Sequence, residues 1–500
     1  MIKIPKTMAT QHPDNARAPY WERDGDGFIS SREEIVECVD TFRNLGIEEF
    51  MWDWEGKFTD EAVIDRLFHH YLSYLKKNPL GLKKRLTFRI PNIWQEKGYS
   101  LIRSLMVILT SEDFARDLKL HSPPLFEIIL PMTENAEQLI FIQKSFRDLA
   151  RLKSRMFSKF KKNTEYIRII PLFEGVDTQI NAKKILKKYL ELHKKTFSFI
   201  PQTLRVFIAR SDPAMVSGLI PTVFANKIAL SDMRELEKEY GIKIFPIIGA
   251  GSLPFRGGLN PSNIKKFSME YPGISTITIQ SAFRYDYPLP RVKQAIKYYI
   301  KRPFGKSQII PEEDRKKLIR LIALLETNYK SELNSVVKDL KFIFGAFPAR
   351  RERHLHIGLL AYGRKLGNIK LPRAITFTGS FYSLGVPPEF LGIGTLSKIS
   401  SEDLSLVKDY YKNCAHDIVH AGKFLNWENL ENLGTKNFAW RKIKDNIKNS
   451  EKVLGLKYRA RNARLKLYAK LTSRLLVSKA NRKKVSKLIA QSGILRKSLG

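Results

Sequence analysis

Short, nearly continuous runs of apolar residues recur along the chain and predict buried β-strands. Such runs are typical of strands that are covered on both faces, as in a parallel sheet. We place eight of them, at residues 48–55, 85–92, 125–132, 166–174, 204–212, 243–249, 274–281 and 374–379.

Helical periodicity separates most of these runs. Apolar residues recur near every 3.6 positions over 136–155 and 182–194, and more briefly over 231–240, where Ser231 and Asp232 are candidate N-caps. Alternating strands and helices predict a parallel sheet, and eight such units predict a closed barrel. The predicted fold is therefore an α/β protein, a (β/α)8 TIM barrel.

Two parts of the chain exceed a minimal barrel. The stretch 288–372, before the predicted eighth strand, and the region after residue 400 predict additional helices. We expect a single catalytic domain over 1–500, with the barrel core at about 45–395 and a helical, basic C-terminal extension at about 400–500.

Composition excludes several classes of protein. A chain of 500 residues that is 43% hydrophobic can bury a large core, which excludes wholesale disorder. Cys38 and Cys414 cannot form a disulfide framework. The N-terminal residues lack the apolar core of a signal peptide, and no run is long enough to span a bilayer. We expect a cytoplasmic protein with no membrane partner.

The net charge of +37 predicts attraction to anions, from nucleic acids to phosphorylated metabolites. No acidic residue follows Glu451, whereas fifteen Lys and Arg residues do. Basic residues at helical spacing usually form a solvated face, so nucleic-acid binding by this tail is the less favoured hypothesis, and we expect no nucleic-acid partner.

Polar side chains collect at the carboxyl ends of the predicted strands. In a barrel these ends surround one mouth, where the active site lies. Recurrence at the same relative place on successive strands favours a shared site over ordinary loop residues. The residues concerned are Asp53, Glu55, Arg89, Asn92, Thr133, Glu134, Glu174, Arg210, Asp212, Gln280 and Arg284.

Glu174 and Asp212 end successive predicted strands, so their carboxylates can converge on one cation. Two hard oxygen ligands, with the other positions left to water and substrate, suit Mg2+ or Mn2+. The alternative is that both carboxylates pair with nearby Arg or Lys side chains.

The segment GAGSLPFRGGL predicts a loop that approaches an anion closely. Its glycines, including Gly257 and Gly258, permit close backbone approach, and Arg256 can bind phosphate or carboxylate through two nitrogens. The GK[ST] ending of a Walker loop is missing, and a Gly-rich loop alone is weak evidence.

Histidines offer two further candidates. His12, in TQHPDN, can exchange a proton near neutral pH and becomes a catalytic candidate if the N-terminal segment covers the barrel mouth. His354 and His356 alternate with Leu355 and could be metal ligands, although a basic anion-binding loop is the preferred interpretation.

Taken in order, these segments resemble the archaeal-type phosphoenolpyruvate carboxylases. The motifs are TQHPD, MWDWEG, FRIPN, PLFEG, RSDPA, GSLPFRGG, QSAFRYD and RAITFTGSFYSLGVPPEFLG, followed by a terminal RKSLG. The matches run from His12 to about Gly394, and their number and order make the resemblance specific.

The resemblance implies that phosphoenolpyruvate and bicarbonate give oxaloacetate and phosphate, through carboxyphosphate and a metal-stabilised pyruvate enolate. It implies a homotetramer, metal binding by Glu174 and Asp212, and substrate binding by Arg256. We expect His12 to accept a proton and Arg256 to act in catalysis. The other expected substrate-binding residues are Arg89, Gly257, Gly258, Gln280 and Arg284.

The chain departs from the longer bacterial and plant carboxylases at two motifs. GAGS stands where the long form has FHGRGG, and Gln280, Ser281 and Ala282 stand where it has QGE. Roles of the missing histidine therefore cannot be transferred. A related alternative is another metal-dependent barrel lyase or mutase acting on phosphoenolpyruvate or pyruvate, which would not need bicarbonate.

Overall fold

Eight parallel strands close into a barrel, which confirms the predicted (β/α)8 architecture. The structure, a computed structural model, describes residues 3–22, 25–96, 98–156, 164–352, 365–366, 369–459 and 462–500. β1 pairs with both β2 and β8 and so closes the barrel. The strands are β1 (Thr7–Thr10), β2 (Glu49–Asp53), β3 (Arg85–Arg89), β4 (Glu127–Leu130), β5 (Arg168–Phe173), β6 (Thr203–Ala209), β7 (Lys243–Gly249) and β8 (Thr276–Ile279).

Helices surround this barrel and continue after it. Those that accompany the strands are α1 (Glu33–Arg43), α2 (Val63–Lys77), α3 (Gly98–Asp117), α4 (Ala136–Met156), α5 (Val176–Ile180), α6 (Ala182–Phe197), α7 (Ser211–Ser217), α8 (Leu219–Tyr240), α9 (Ile264–Glu270), α10 (Ser281–Tyr285) and α11 (Leu289–Lys301). Those that follow are α12 (Glu312–Val336), α13 (Lys341–Ala346), α14 (Ala374–Leu384), α15 (Ser401–Tyr410), α16 (Cys414–Gly422), α17 (Trp427–Lys436), α18 (Phe438–Leu454), α19 (Ala463–Val477) and α20 (Arg482–Arg496). Two short strands, Lys365–Leu366 and Ile369–Lys370, pair with each other in antiparallel fashion.

The prediction of a strand at 374–379 is wrong, because these residues begin helix α14. Helix α14 is buried on nearly every side, and an apolar run of that kind does not distinguish a buried helix from a buried strand. The missing strand is β1, whose sequence TMAT is short and half polar. The additional helices therefore follow the last strand, and are not inserted before it.

The prediction of a helix beginning at Ser231 is also wrong, because α8 begins twelve residues earlier, at Leu219. Ser231 is buried within the helix, where its Oγ accepts a hydrogen bond from the backbone N–H of Ile310 at 2.9 Å. The Ser231 hydroxyl therefore makes a tertiary hydrogen bond and does not cap a helix.

Ion pairs form the floor of the barrel, at the amino ends of the strands. Arg205 donates to both carboxylate oxygens of Glu49, at 2.9 and 2.6 Å, and to Glu127 at 3.1 Å. Arg85 donates to the same oxygen of Glu127 at 2.8 Å. Arg205 and Glu49 are almost completely buried, so these charges compensate each other without water.

An apolar layer separates this floor from the barrel mouth. Side chains alternate along a strand, so Glu49 at the floor and Asp53 at the mouth share one face of β2 with Met51 between them. Met51 belongs to a buried cluster contributed by the strands, which comprises Met8, Met51, Ile129, Ile170, Leu172, Phe207, Ala209 and Ile247. The floor therefore supports the barrel without contacting the site.

A second hydrophobic core lies between the barrel and the helices that follow it. Phe224 and Ile228 of α8 pack there with Leu318 and Leu325 of α12 and with Ile443 of α18. Among the residues described, no helix combines the length and apolar character needed to cross a membrane.

We predict that Arg205→Met destabilises the protein by roughly 3–5 kcal/mol, because the Glu49 carboxylate is left buried without its cation. Turnover per folded molecule should not change, because the apolar layer separates the floor from the mouth. Urea denaturation measures the loss. The double variant Arg205→Met/Glu49→Leu should recover much of it, and equal stability of the single and double variants would contradict this account.

Candidate active site

The polar strand ends predicted from the sequence do meet at one mouth, and β1 adds His12 to them. Thr10 ends β1, Asp53 ends β2 and Arg89 ends β3, while Glu174 directly follows β5. Six further predicted residues lie just beyond β6, β7 and β8, namely Asp212, Arg256, Gly257, Gly258, Gln280 and Arg284.

Arg89 is the centre of an acidic side of this mouth. Its Nε donates to Asp53 Oδ1 at 2.8 Å, and its Nη1 lies 2.5 Å from Glu55 Oε2 and 3.7 Å from Glu174 Oε1. Burial acts to lower the pKa of Arg89, but Asp53, Glu55 and Glu174 outweigh it and hold that pKa well above its usual value. Arg89 is thus a fixed cation that three carboxylates share.

The two predicted metal ligands are carboxylates at the ends of neighbouring strands, and carboxylate oxygens are ligands that a hard divalent cation accepts. Glu174 is mostly buried, and its Oε1 lies 3.7 Å from Nη1 of Arg89. Asp212 lies in the first turn of α7 at the end of the adjacent strand. Within the described residues, no three His, Cys, Asp or Glu side chains are grouped to hold a metal. A cation here would therefore take its other ligands from water and substrate.

Arg256 is buried on the opposite side, with protein acceptors on all three nitrogens. Nη1 donates to Asp14 Oδ2 at 3.0 Å and to an oxygen of Gly500 at 2.6 Å, Nη2 to Gln280 Oε1 at 2.6 Å, and Nε to Ser211 Oγ at 3.2 Å. Burial lowers the pKa of Arg256, and the neighbouring Asp14 opposes that shift. The guanidinium is thereby fixed in one orientation.

The glycines beside Arg256 are required by backbone conformation and by close packing. Gly257 and Gly258 have positive φ values of 114° and 70°. A Cβ atom on Gly257 would lie 2.7 Å from Ala250 Cβ, which leaves no room for a side chain. Both glycines form the tight turn that follows Arg256, and their predicted contact with an anion stays a prediction.

Arg284 lies on α10 and bonds to the first strand. Its Nη2 donates to the Thr10 carbonyl at 2.8 Å and to Glu37 Oε1 at 2.9 Å. Its Nε and Nη1 are buried without a hydrogen-bond partner among the described residues. Glu37 also accepts two hydrogen bonds from Arg351, so the carboxylate joins two buried guanidinium groups.

His12 follows β1 directly, so the N-terminal segment does contribute to the mouth. Its Nδ1 lies 2.8 Å from Thr10 Oγ1, which orients the ring. The side chain is only partly buried, unlike those of Arg256 and Arg284. The N-terminal segment forms a strand of the barrel rather than a cover, and the role of His12 stays a prediction.

Sequence reasoning missed the residues that hold the arginines in place. Asp14 lies within the TQHPDN motif, so the motif pointed to the right segment but not to this carboxylate. Glu37 and Gly500 are far from their arginines in sequence and carry no local signal. His354 and His356 lie outside the described residues.

Comparison with known proteins matches almost the whole chain to one family. A family model described as phosphoenolpyruvate carboxylase matches residues 4–500. The chain belongs to the phosphoenolpyruvate carboxylase family. This confirms the resemblance drawn from the motifs.

Proteins named phosphoenolpyruvate carboxylase from three organisms show how far the similarity extends. Identity is 46% to the protein from Leuconostoc mesenteroides, covering 89% of this chain and 88% of the relative. It is 42% to that from Oenococcus oeni, covering 100% and 99%, and 36% to that from the archaeon Metallosphaera sedula, covering 100% of both. The similarity to these relatives is therefore not confined to the barrel.

We predict that Arg256→Lys lowers kcat/KM for phosphoenolpyruvate about ten- to a hundredfold, although charge is kept. An ammonium group cannot reproduce the planar set of hydrogen bonds that Arg256 makes. Arg315→Lys is the matched control, because Arg315 pairs with Asp232 between α12 and α8 and, among the described residues, bonds to no candidate site residue. Steady-state kinetics measure both variants, and unchanged kinetics for Arg256→Lys would show that Arg256 has no role in turnover.

Proposed function

We propose that the chain converts phosphoenolpyruvate and bicarbonate to oxaloacetate and phosphate, with Mg2+ or Mn2+ held by Glu174 and Asp212. The observation that carries this proposal is the arrangement of charged side chains around the mouth. Carboxylates collect around Arg89 at the ends of β2 and β5, whereas Arg256 and Arg284 follow β7 and β8. A cation and two anionic substrates can therefore bind at neighbouring places.

The main physical difficulty of the reaction is that both substrates are anions and repel each other. Arg256 and Arg284 supply positive charge that can offset this repulsion. Guanidinium groups already fixed in position can hold the two in contact without reorganising. A divalent ion bound by the carboxylates would offset the charge on the phosphate and on the enolate oxygen.

Three steps account for the products. A bicarbonate oxygen attacks phosphorus and displaces the enolate of pyruvate, which gives carboxyphosphate. Carboxyphosphate loses a proton and breaks down to CO2 and phosphate, and the enolate carbon then attacks CO2. We assign the proton transfer to His12, because it follows β1 at the mouth and has a ring nitrogen held by Thr10. Water must be excluded throughout, because protonation of the enolate gives pyruvate.

One assay separates this function from its closest alternative. Oxaloacetate and phosphate release from phosphoenolpyruvate should require both bicarbonate and Mg2+. A lyase or mutase acting on phosphoenolpyruvate would turn over without bicarbonate, and that outcome would overturn the proposal.

We predict that Glu174→Ala and Asp212→Ala each lower turnover by at least about a hundredfold and weaken Mn2+ binding, because each removes one of two protein ligands. Electron paramagnetic resonance of free Mn2+ measures binding independently of activity. Asp177→Ala is the control, since Asp177 is an exposed carboxylate three residues beyond Glu174. Unchanged Mn2+ affinity in both site variants would remove the metal assignment.

We predict that His12→Asn raises the share of pyruvate among the products. Cleavage of the phosphate ester precedes the proton transfer, so the enolate would still form but would wait for CO2 and be protonated instead. Measuring pyruvate and oxaloacetate together tests this, with the exposed His70→Asn as control. A uniform fall in both products at a constant ratio would assign His12 a structural role.

Two further proposals concern association. A homotetramer is supported by the family resemblance, and sedimentation velocity tests it. The absence of a nucleic-acid partner is supported by the helical spacing of the basic residues near the C-terminus, and salt-dependent binding to DNA or RNA would contradict it.

The proposed location is the cytoplasm. Both cysteines are free and buried, which supports a reducing, cytoplasmic setting.

A further inference from the structure

The loop that carries Arg256 is anchored on the helices that follow the barrel. Phe255, the residue before Arg256, is completely buried and stacks on Phe377 of α14, with ring centroids 5.9 Å apart. Leu253 packs into a cluster whose other members come from α14, α19 and the residues after α16. These members are Tyr382, Phe424, Leu465 and Tyr468.

A single buried carboxyl group binds the backbone of this loop. Glu389 lies in a 3-10 turn at Pro388–Phe390 and is 3% exposed. Its Oε1 accepts a hydrogen bond from the Phe255 N–H at 2.8 Å and another from the Tyr382 hydroxyl at 2.6 Å. The peptide unit that Glu389 binds is therefore one residue from the guanidinium-bearing Arg256.

Hydrogen bonds extend this anchor to the C-terminal helices. The Tyr468 hydroxyl of α19 donates to the Tyr382 carbonyl. At the end of α20, Arg496 donates to the carbonyl of Leu499 at 2.5 Å, next to the Gly500 oxygen that accepts from Arg256. The post-barrel helices thus hold the loop backbone at one point and the guanidinium at another.

We propose that Glu389 is a positioning residue for Arg256, and that the helices after the barrel fix the substrate-handling loop through it. The proposal rests on the proposed role of Arg256 in substrate binding. Glu389 touches neither Arg256 nor the mouth directly, so it acts through the Phe255 peptide. A small shift of that peptide would move the guanidinium away from the acceptors that orient it.

The surroundings of Glu389 indicate that glutamine is its conservative replacement. Burial raises the pKa of Glu389 to about 7, and its Oε2 has no hydrogen-bond partner among the described residues. A neutral carboxyl group suits this place, and a glutamine amide has nearly the same shape. Its oxygen can accept from both Phe255 and Tyr382, so Glu389→Gln keeps the anchor whereas Glu389→Ala removes it.

Glu332 offers a matched control in the same group of helices. It is also a largely buried carboxyl group, on α12, and it accepts a backbone hydrogen bond from Gly392 at 2.7 Å and a side-chain hydrogen bond from Asn446 at 2.7 Å. None of these contacts reaches the Arg256 loop. Glu332→Ala should therefore reproduce the loss of stability without the loss of positioning.

The test measures kcat/KM for phosphoenolpyruvate and the thermal midpoint of each variant. We expect Glu389→Ala to lower kcat/KM about tenfold or more, Glu389→Gln to recover most of it, and Glu332→Ala to lower the midpoint alone. Tyr382→Phe, a milder change that removes one donor to Glu389, should lower kcat/KM about two- to fivefold and keeps the test decisive if Glu389→Ala does not fold.

A double-variant cycle distinguishes positioning from general stabilisation. If Glu389 acts through Arg256, adding Glu389→Ala to Arg256→Lys should cost less than about twofold more, because the aligned guanidinium is already lost. Three results would each overturn the proposal. The first is that the losses of kcat/KM in Glu389→Ala and Arg256→Lys multiply in the double variant. The others are wild-type kinetics in both Glu389→Ala and Tyr382→Phe, and a loss of kcat/KM in Glu332→Ala equal to that in Glu389→Ala. Oxaloacetate formation by the unmodified protein in the same assay tests the carboxylase function separately.

Discussion

Keeping arginine side chains charged where water is excluded is the constraint on which this structure depends. A buried guanidinium costs several kcal/mol unless carboxylates and other oxygens compensate it. Glu49 and Glu127 do so for Arg205 at the floor, and Asp53, Glu55 and Glu174 do so for Arg89 at the mouth. Because these acceptors come from different strands, each arginine also fixes the positions of the strands around it.

The same constraint makes the mouth rigid before substrate arrives. Arg256 has acceptors from the segment after β1, from the end of β8 and from the C-terminal residue, so its orientation is set by three distant parts of the chain. Charge that is already oriented need not reorganise as the phosphate ester is cleaved. The helices after the barrel therefore contribute to the site, although they add no residue to the strand ends.

The fold was predictable where burial leaves a local pattern. Seven strands appear as apolar runs, but the TMAT segment of β1 depends on pairing to strands on both sides, which no local pattern records. The candidate site was predictable from the sequence only where its residues lie next to strands. The sequence identifies Arg89, which ends a strand, and Glu174 and Asp212, which come just after strands. It does not identify Asp14 and Glu389, which bond to the Arg256 loop from 242 and 134 residues away in the chain. Such long-range partners appear only once the chain is folded.

Close packing against Arg256 accounts for one glycine of the GAGS segment. GAGS replaces the first half of the doubled motif, and a Cβ atom on Gly251 would lie 2.7 Å from Arg256 Cζ. The Arg256 side chain thus occupies the space that a side chain at this place would need, and Gly251 donates its N–H to the Arg256 carbonyl at 2.7 Å. A larger residue at position 251 would therefore displace the Arg256 side chain. The proposed proton acceptor, His12, lies just beyond β1, within the same segment as the Asp14 carboxylate that accepts a hydrogen bond from Arg256.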